Sequence, residues 1–117
     1  MKPRRMDWLC GNDYMLMAAL LLADGEYVLS TELAAGLFDR SVSGQVSRVT
    51  IRRHALNLLR ARVPISERYL ANGRVLWYRL AALPADEHLE PMLACVPAVK
   101  RSAWWSRRVS QTHTRAS

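Results

Sequence analysis

The chain holds two cysteines among its 117 residues, Cys10 and Cys95, and three scattered histidines, His54, His88 and His113. Neither cysteine has a second Cys or a His at metal-ligand spacing, so the pattern predicts no zinc site and no disulfide framework. The thiols read as buried or idle side chains in a reducing compartment. Long apolar runs are also missing. Met15 to Ala23 is the longest, at nine residues, less than half of the roughly 20 an apolar bilayer span needs. No cleavable leader pattern follows the basic start MKPRR. Gly-rich phosphate loops and locally supported Ser-His-Asp or Cys-His patterns are absent as well, so neither an enzyme nor a bound cofactor is expected.

Acidic residues are scarce in one place. From residue 40 to residue 80 the chain has nine arginines and a single acid, Glu67, whereas residues 6 to 39 carry six acids and no base. The net charge of +7 is therefore concentrated by region. An anionic partner would meet the middle of the chain.

What is present reads as alternating elements. Asn12 or Asp13 caps a helix through YMLMAALLLADG that stops at Gly25 and is apolar on most sides, hence a core helix. Glu26 to Leu29 is a short extended piece. Ser30 offers an N-cap and Glu32 a first-turn acid to a second helix over 31 to 38, with Leu33, Ala34, Leu37 and Phe38 at helical spacing. A turn-like DRSVSGQ leads into a basic helix over 44 to 62. Its inner side is expected to hold Val49, Ile51, Ala55, Leu56, Leu58, Leu59 and Val63. Its outer side is expected to hold Ser47, Thr50, Arg53, His54, Asn57 and Arg60.

Pro64 closes that helix, and RYLANGRVLWYRLA reads as a hairpin turning at Asn72-Gly73, the signature of a type I′ turn. That register opposes Ile65 to Leu80, Arg68 to Trp77 and Tyr69 to Leu76. Ile65, Tyr69, Leu76, Tyr78 and Leu80 then share the packing face. From Pro84 onward three prolines precede a basic, Ser/Thr-rich end, with a short helix near 86 to 95 and a partly disordered finish. Trp104-Trp105 among basic residues reads as a packing or self-association cluster.

The order is helix, short strand, helix, turn, basic helix, hairpin. In a helix-turn-helix protein the last helix presents its outer face to the DNA major groove, and a hairpin after it reaches neighbouring phosphates. Residues 14 to 80 also resemble the OmpR/PhoB-type winged-helix effector domain of bacterial transcriptional regulators. The likeness runs through YMLMAALLLADGEYVLSTEL, LF at 37 to 38, VTIRR at 49 to 53 and the closing YRL at 78 to 80. It implies an α+β winged helix of three helices and a C-terminal hairpin wing, with helix 44 to 62 in the major groove and wing 68 to 80 on the backbone or minor groove. The family places a receiver domain ahead of this region; here about thirteen residues precede it, so a stand-alone repressor or accessory factor is expected.

The expected organisation is a basic arm over 1 to 13, a DNA-binding domain over 14 to 83 and a C-terminal extension over 84 to 117. Base-edge candidates are Thr50, Arg53, His54 and Asn57, because Arg pairs with guanine and Asn with adenine. Arg48, Arg52 and Arg60 are assigned to phosphates, Asn72 and Arg74 to the wing tip with Arg68 behind it, and Ser47 counts as a DNA-binding candidate on the outer face. The expected partners are double-stranded DNA, a second copy of the chain, and RNA polymerase or another protein through the extension. The expected location is the cytoplasm, on the nucleoid. The same elements also fit a protein-protein adaptor, or a plasmid or phage replication or partition factor.

Overall fold

The run of apolar residues after Asp13 forms a helix, α1 (Gly11–Leu22), whose Leu16 to Leu20 are inaccessible to solvent and lie in the hydrophobic core. The structure, a computed structural model, describes residues 9 to 38, 48 to 73 and 75 to 116. After α1 come β1 (Val28–Leu29), α2 (Ser30–Gly36), α3 (Arg48–Arg60), β2 (Ile65–Tyr69), β3 (Val75–Leu80), α4 (Asp86–Ala94), α5 (Val96–Lys100) and α6 (Ala103–Ala116). This is an α+β fold in which helices cover a three-stranded antiparallel sheet of order β1-β3-β2.

Local chemistry explains the boundaries. Cys10, rather than Asn12 or Asp13, is the N-cap of α1. Asp13 stands three residues on, and its Oδ2 accepts the Cys10 amide proton at 2.9 Å, satisfying a backbone donor that the helix start would otherwise leave orphaned. The expected Ser30 cap is not formed: Ser30 is the first residue of α2, Leu29 is the cap, and no side-chain cap bond is made. Helix α3 ends before Pro64 through a C-terminal motif in which the Val63 amide reaches the Leu58 carbonyl and the Arg62 amide the Leu59 carbonyl, both at 3.0 Å. Arg62 occupies the left-handed position there, with φ 65°, where glycine is the favoured residue.

The hairpin follows the expected register from Ile65↔Leu80 to Arg68↔Trp77, then slips so that Tyr69 pairs with Val75. The turn is the reason. Gly73 has φ 83°, Asn72 is not in the positive-φ region, and the Gly73 amide bonds to the Leu70 carbonyl at 2.9 Å. That is a β-turn followed by one left-handed glycine, which inserts a bulge, in place of the two-residue I′ turn. Tyr69 is accordingly exposed, and Glu67 takes the position between Ile65 and Tyr69 on the packing face.

Three helices follow residue 84 where one short helix and a partly disordered end were expected. Met92, Val99 and Trp104 from them are buried in the common core with Leu9, Leu16, Leu20, Leu33, Ile51, Leu58 and Tyr78. Helices α4 and α5 pack on α1, and α6 packs on α2. His88 of α4 is buried, with its Nδ1 3.3 Å from the Tyr14 hydroxyl of α1. Arg108 of α6 pairs with Glu26 at 2.5 Å and lies over the Trp104 ring. Among the described residues no helix is long and apolar enough to cross a membrane.

Candidate functional site

Helix α3 packs on α1, α2 and β2 through Ile51, Ala55 and Leu58, all fully buried. Each residue of an α-helix moves the side chain about 100° around the axis, so the opposite face carries Val49, Arg53, Leu56 and Arg60, with Arg52 beside them. Arg52, Arg53 and Arg60 are exposed and Leu56 is half-buried. Val49, expected inside, is 68% exposed, which makes it an apolar surface residue in the first turn of a basic helix face.

Two of the expected base-reading residues turn inward. His54 is only 8% exposed, stacks near the Phe38 ring, and places Nδ1 2.6 Å from Asp13 Oδ1. Asn57 is half-buried and donates to the same carboxylate oxygen at 3.4 Å. Thr50 is half-buried at the edge of the helix face. Asp13 itself is completely buried. Burial opposes its charge, but the hydrogen bonds from His54, the Cys10 amide and Asn57 outweigh that and hold its pKa below the usual carboxylate value. The carboxylate therefore anchors α3 to the start of α1. No sequence signal short of the fold links Asp13 to His54, forty-one positions away.

Arg52 points toward the hairpin, its Nη1 3.7 Å from Oε2 of Glu67, while Glu67 Oε1 accepts the Tyr69 hydroxyl proton at 2.8 Å. Burial and the nearby Glu67 carboxylate together raise the pKa of the Tyr78 phenol. The one acid of the basic block thus lies at the junction of α3 and the sheet.

The other face of the sheet bears a stack of rings and guanidinium groups. Arg68 lies 5.0 Å from the centroid of the Trp77 ring and 5.8 Å from that of Tyr27, and Arg79 lies 5.1 Å from Tyr27 on the same face. Tyr27 escaped the sequence reading because it belongs to the segment before β1, whose pairing of Val28 with Tyr78 brings it alongside β3. Asn72 is exposed in the hairpin turn. Ser47, Arg74 and the side chain of Arg48 lie outside the described residues, as do the DRSVSGQ linker, residues 1 to 8 and the side chain of Leu76.

A cleft of about 540 Å³ opens between the end of α2 and the α5-α6 junction, where Arg101 and Ser102 are the polar residues among Met15, Phe38 and small side chains. Cys10 is exposed and Cys95 half-buried, both as free thiols, and burial pushes the Cys95 thiol pKa up. Comparison with family models, curated proteins and solved structures finds no match for the chain.

Proposed function

We propose that the chain is a winged helix that binds double-stranded DNA and regulates transcription, in the manner of an OmpR/PhoB-type effector domain acting as a homodimer on the nucleoid. Helix α3 is the recognition helix and the β2-β3 hairpin the wing. The observation that supports this most directly is the exposed face of α3. Val49, Arg52, Arg53 and Arg60 stay open to solvent while α4, α5 and α6 pack on α1 and α2. A helix bearing arginines at this spacing suits a major groove about 12 Å wide.

Burial and exposure support a revised set of roles on that surface. Arg53, central on the face, is the base-edge reader, suited to guanine. Val49 offers an apolar contact to a thymine methyl group near the helix start. Arg52 and Arg60 meet phosphates. Arg68, with its guanidinium against the Tyr27 and Trp77 rings, presents a preorganised cation on the hairpin, so little side-chain freedom is lost when it meets a phosphate. His54 and Asn57 act from behind, by fixing the rotation of α3 about its own axis.

A duplex-binding titration across salt concentrations tests the reading. Each phosphate neutralised contributes a slope of roughly −0.9 to log K against log salt. The expected result is a slope of about −3 or steeper for duplex, given Arg52, Arg60 and Arg68 as three phosphate contacts. A flat dependence, or none that requires duplex, contradicts the proposal.

A further inference from the structure

Cys10 has no second Cys or His at metal-ligand spacing in the sequence, yet the fold gathers it with Asp13 and His54. One donor atom from each, Cys10 Sγ, an Asp13 carboxylate oxygen and a His54 ring nitrogen, lies within 4.8 Å of the other two. From these positions we infer that they form a binding site for a single borderline-soft divalent cation of the zinc class, with water completing the coordination.

The donor chemistry selects the ion. A thiolate, an imidazole and one carboxylate suit zinc or cobalt(II), and three protein ligands with a water in the fourth position is a known tetrahedral pattern. Magnesium and calcium require oxygen donors and are excluded by this set. Around a tetrahedral ion with bonds of about 2.0 to 2.3 Å, ligand atoms lie about 3.3 to 3.8 Å apart. Asp13 Oδ1 and His54 Nδ1, now 2.6 Å apart around a shared proton, must separate by about an ångström, and the thiol must approach by a similar amount. Cys10 is exposed, so solvent reaches the site along its side chain.

Supporting contacts hold the ligands as metal sites require. Asp13 Oδ2 is fixed by the Cys10 amide, while Oδ1 faces both His54 and Asn57, so the ion takes the place of the proton shared with His54 and Asn57 stays as a hydrogen-bond donor to Oδ1. The Phe38 ring, 5.5 Å away, holds the imidazole from one side. Binding displaces protons in a balanced way: the Cys10 thiol releases its proton to solvent, and the proton between Asp13 and His54 moves to the other ring nitrogen. The neutral imidazole then gives its Nδ1 lone pair to the ion. Because Cys10 and Asp13 open α1 and His54 lies on α3, the ion cross-links two helices. This inference is independent of DNA binding.

Cobalt(II) titration of the reduced, chelator-stripped full chain tests it. The expected result is a thiolate-to-cobalt charge-transfer band that saturates at one ion per chain and is bleached by zinc. Cys10→Ser, at an exposed position, should keep the fold by circular dichroism, lose that band and bind cobalt at least roughly tenfold more weakly. Cys95→Ser should retain the band. Zinc should also raise the melting temperature of the wild type and of Cys95→Ser, but not of Cys10→Ser. No band in the wild type, a band undiminished in Cys10→Ser, or one lost in Cys95→Ser alone overturns the assignment.

Discussion

Arg52 on α3 and Glu67 on β2 face each other with Nη1 and Oε2 3.7 Å apart, so the only acid between residues 40 and 80 is aimed at the arginine surface. Glu67 is mostly shielded from solvent, while about half of the Arg52 side chain is exposed. The pair ties the helix to the hairpin. It also places a negative charge where a duplex would bring more.

Glu67→Gln follows as a first test. The amide keeps the shape and can still accept the Tyr69 hydroxyl, but it removes the charge and leaves Arg52 free to reach phosphate. Duplex affinity should rise by about two- to fivefold at low salt and converge with wild type at high salt, because exposed charges are screened over about 10 Å at 0.1 M. Fluorescence anisotropy with one labelled duplex at several salt concentrations measures both. Unchanged affinity at low salt would place Glu67 away from the bound phosphates.

Arg53→Ala separates base reading from backbone contact. At the centre of the exposed face, Arg53 should lose about 1–3 kcal/mol of discrimination at one base position. Arg60→Ala should weaken all duplexes alike and flatten the salt slope by about 0.9. Binding a panel of single-base variants of a selected site gives the answer. Equal losses across the panel for Arg53→Ala would assign it to phosphate.

Much of this arrangement was readable from residue order, and the failures have physical causes. Apolar density marked α1 as the core helix, and alternation around Asn72-Gly73 fixed the pairing from Ile65 to Arg68. Val49 and Ile51 were assigned to one side although they are about 160° apart around a helix; the structure exposes the first and buries the second. His54 was sent outward for its polarity. About 140° from Val49, it belongs to the inner half, where a buried carboxylate satisfies it. That carboxylate comes from forty-one positions away in the chain, which periodicity cannot reveal. The short helix expected near 86 to 95 is α4, but Pro97 disguised α5, although it lies in the first turn of that helix, where its missing amide costs little.

The Asp13 carboxylate makes stability depend on acid in a defined direction. Its folded pKa is depressed, so its contribution is present above the ordinary carboxylate range, near pH 4, and is lost as pH falls through the folded value. With chelator present, Asp13→Asn should lower unfolding free energy at neutral pH by about 1.5–3 kcal/mol, as expected for a charged hydrogen bond. The gap between variant and wild type should narrow below about pH 4. Urea unfolding at pH 7 and at pH 3 measures the gap directly. A constant difference would mean that the carboxylate charge contributes nothing.

Gly36 tests the crossing of α2 over α6. A methyl group there would lie 2.7 Å from the Trp104 backbone nitrogen and 3.0 Å from its Cα, and would also meet the Arg107 guanidinium. The guanidinium can move aside; the backbone of α6 cannot without shifting the helix. Alanine favours a helix by about 1 kcal/mol over glycine, whereas forcing an extra carbon into packed atoms costs about 1–3 kcal/mol. Gly36→Ala should therefore destabilise, with a thermal midpoint several degrees lower. A higher midpoint would mean that α6 is not seated on α2.

Removal of everything after residue 83 tests whether residues 14 to 83 can stand alone as a winged helix. The truncation takes away Met92, Val99 and Trp104, each at most 3% exposed, and strips their partners on α1 and α2. At about 1.5–3 kcal/mol for each fully buried large apolar side chain, these three account for about 5–9 kcal/mol. A domain of this size has about 5–15 kcal/mol in total. The loss is comparable to the whole. The shortened chain should lack a cooperative thermal transition and bind a hydrophobic dye, while Trp104→Ala in the full chain should remain folded but be destabilised by about 3–5 kcal/mol. A cooperative melt for the shortened chain near the wild-type midpoint would show that α4 to α6 are an accessory to the fold. In that case the exposed arginine face would belong to a self-sufficient domain ending at Leu83.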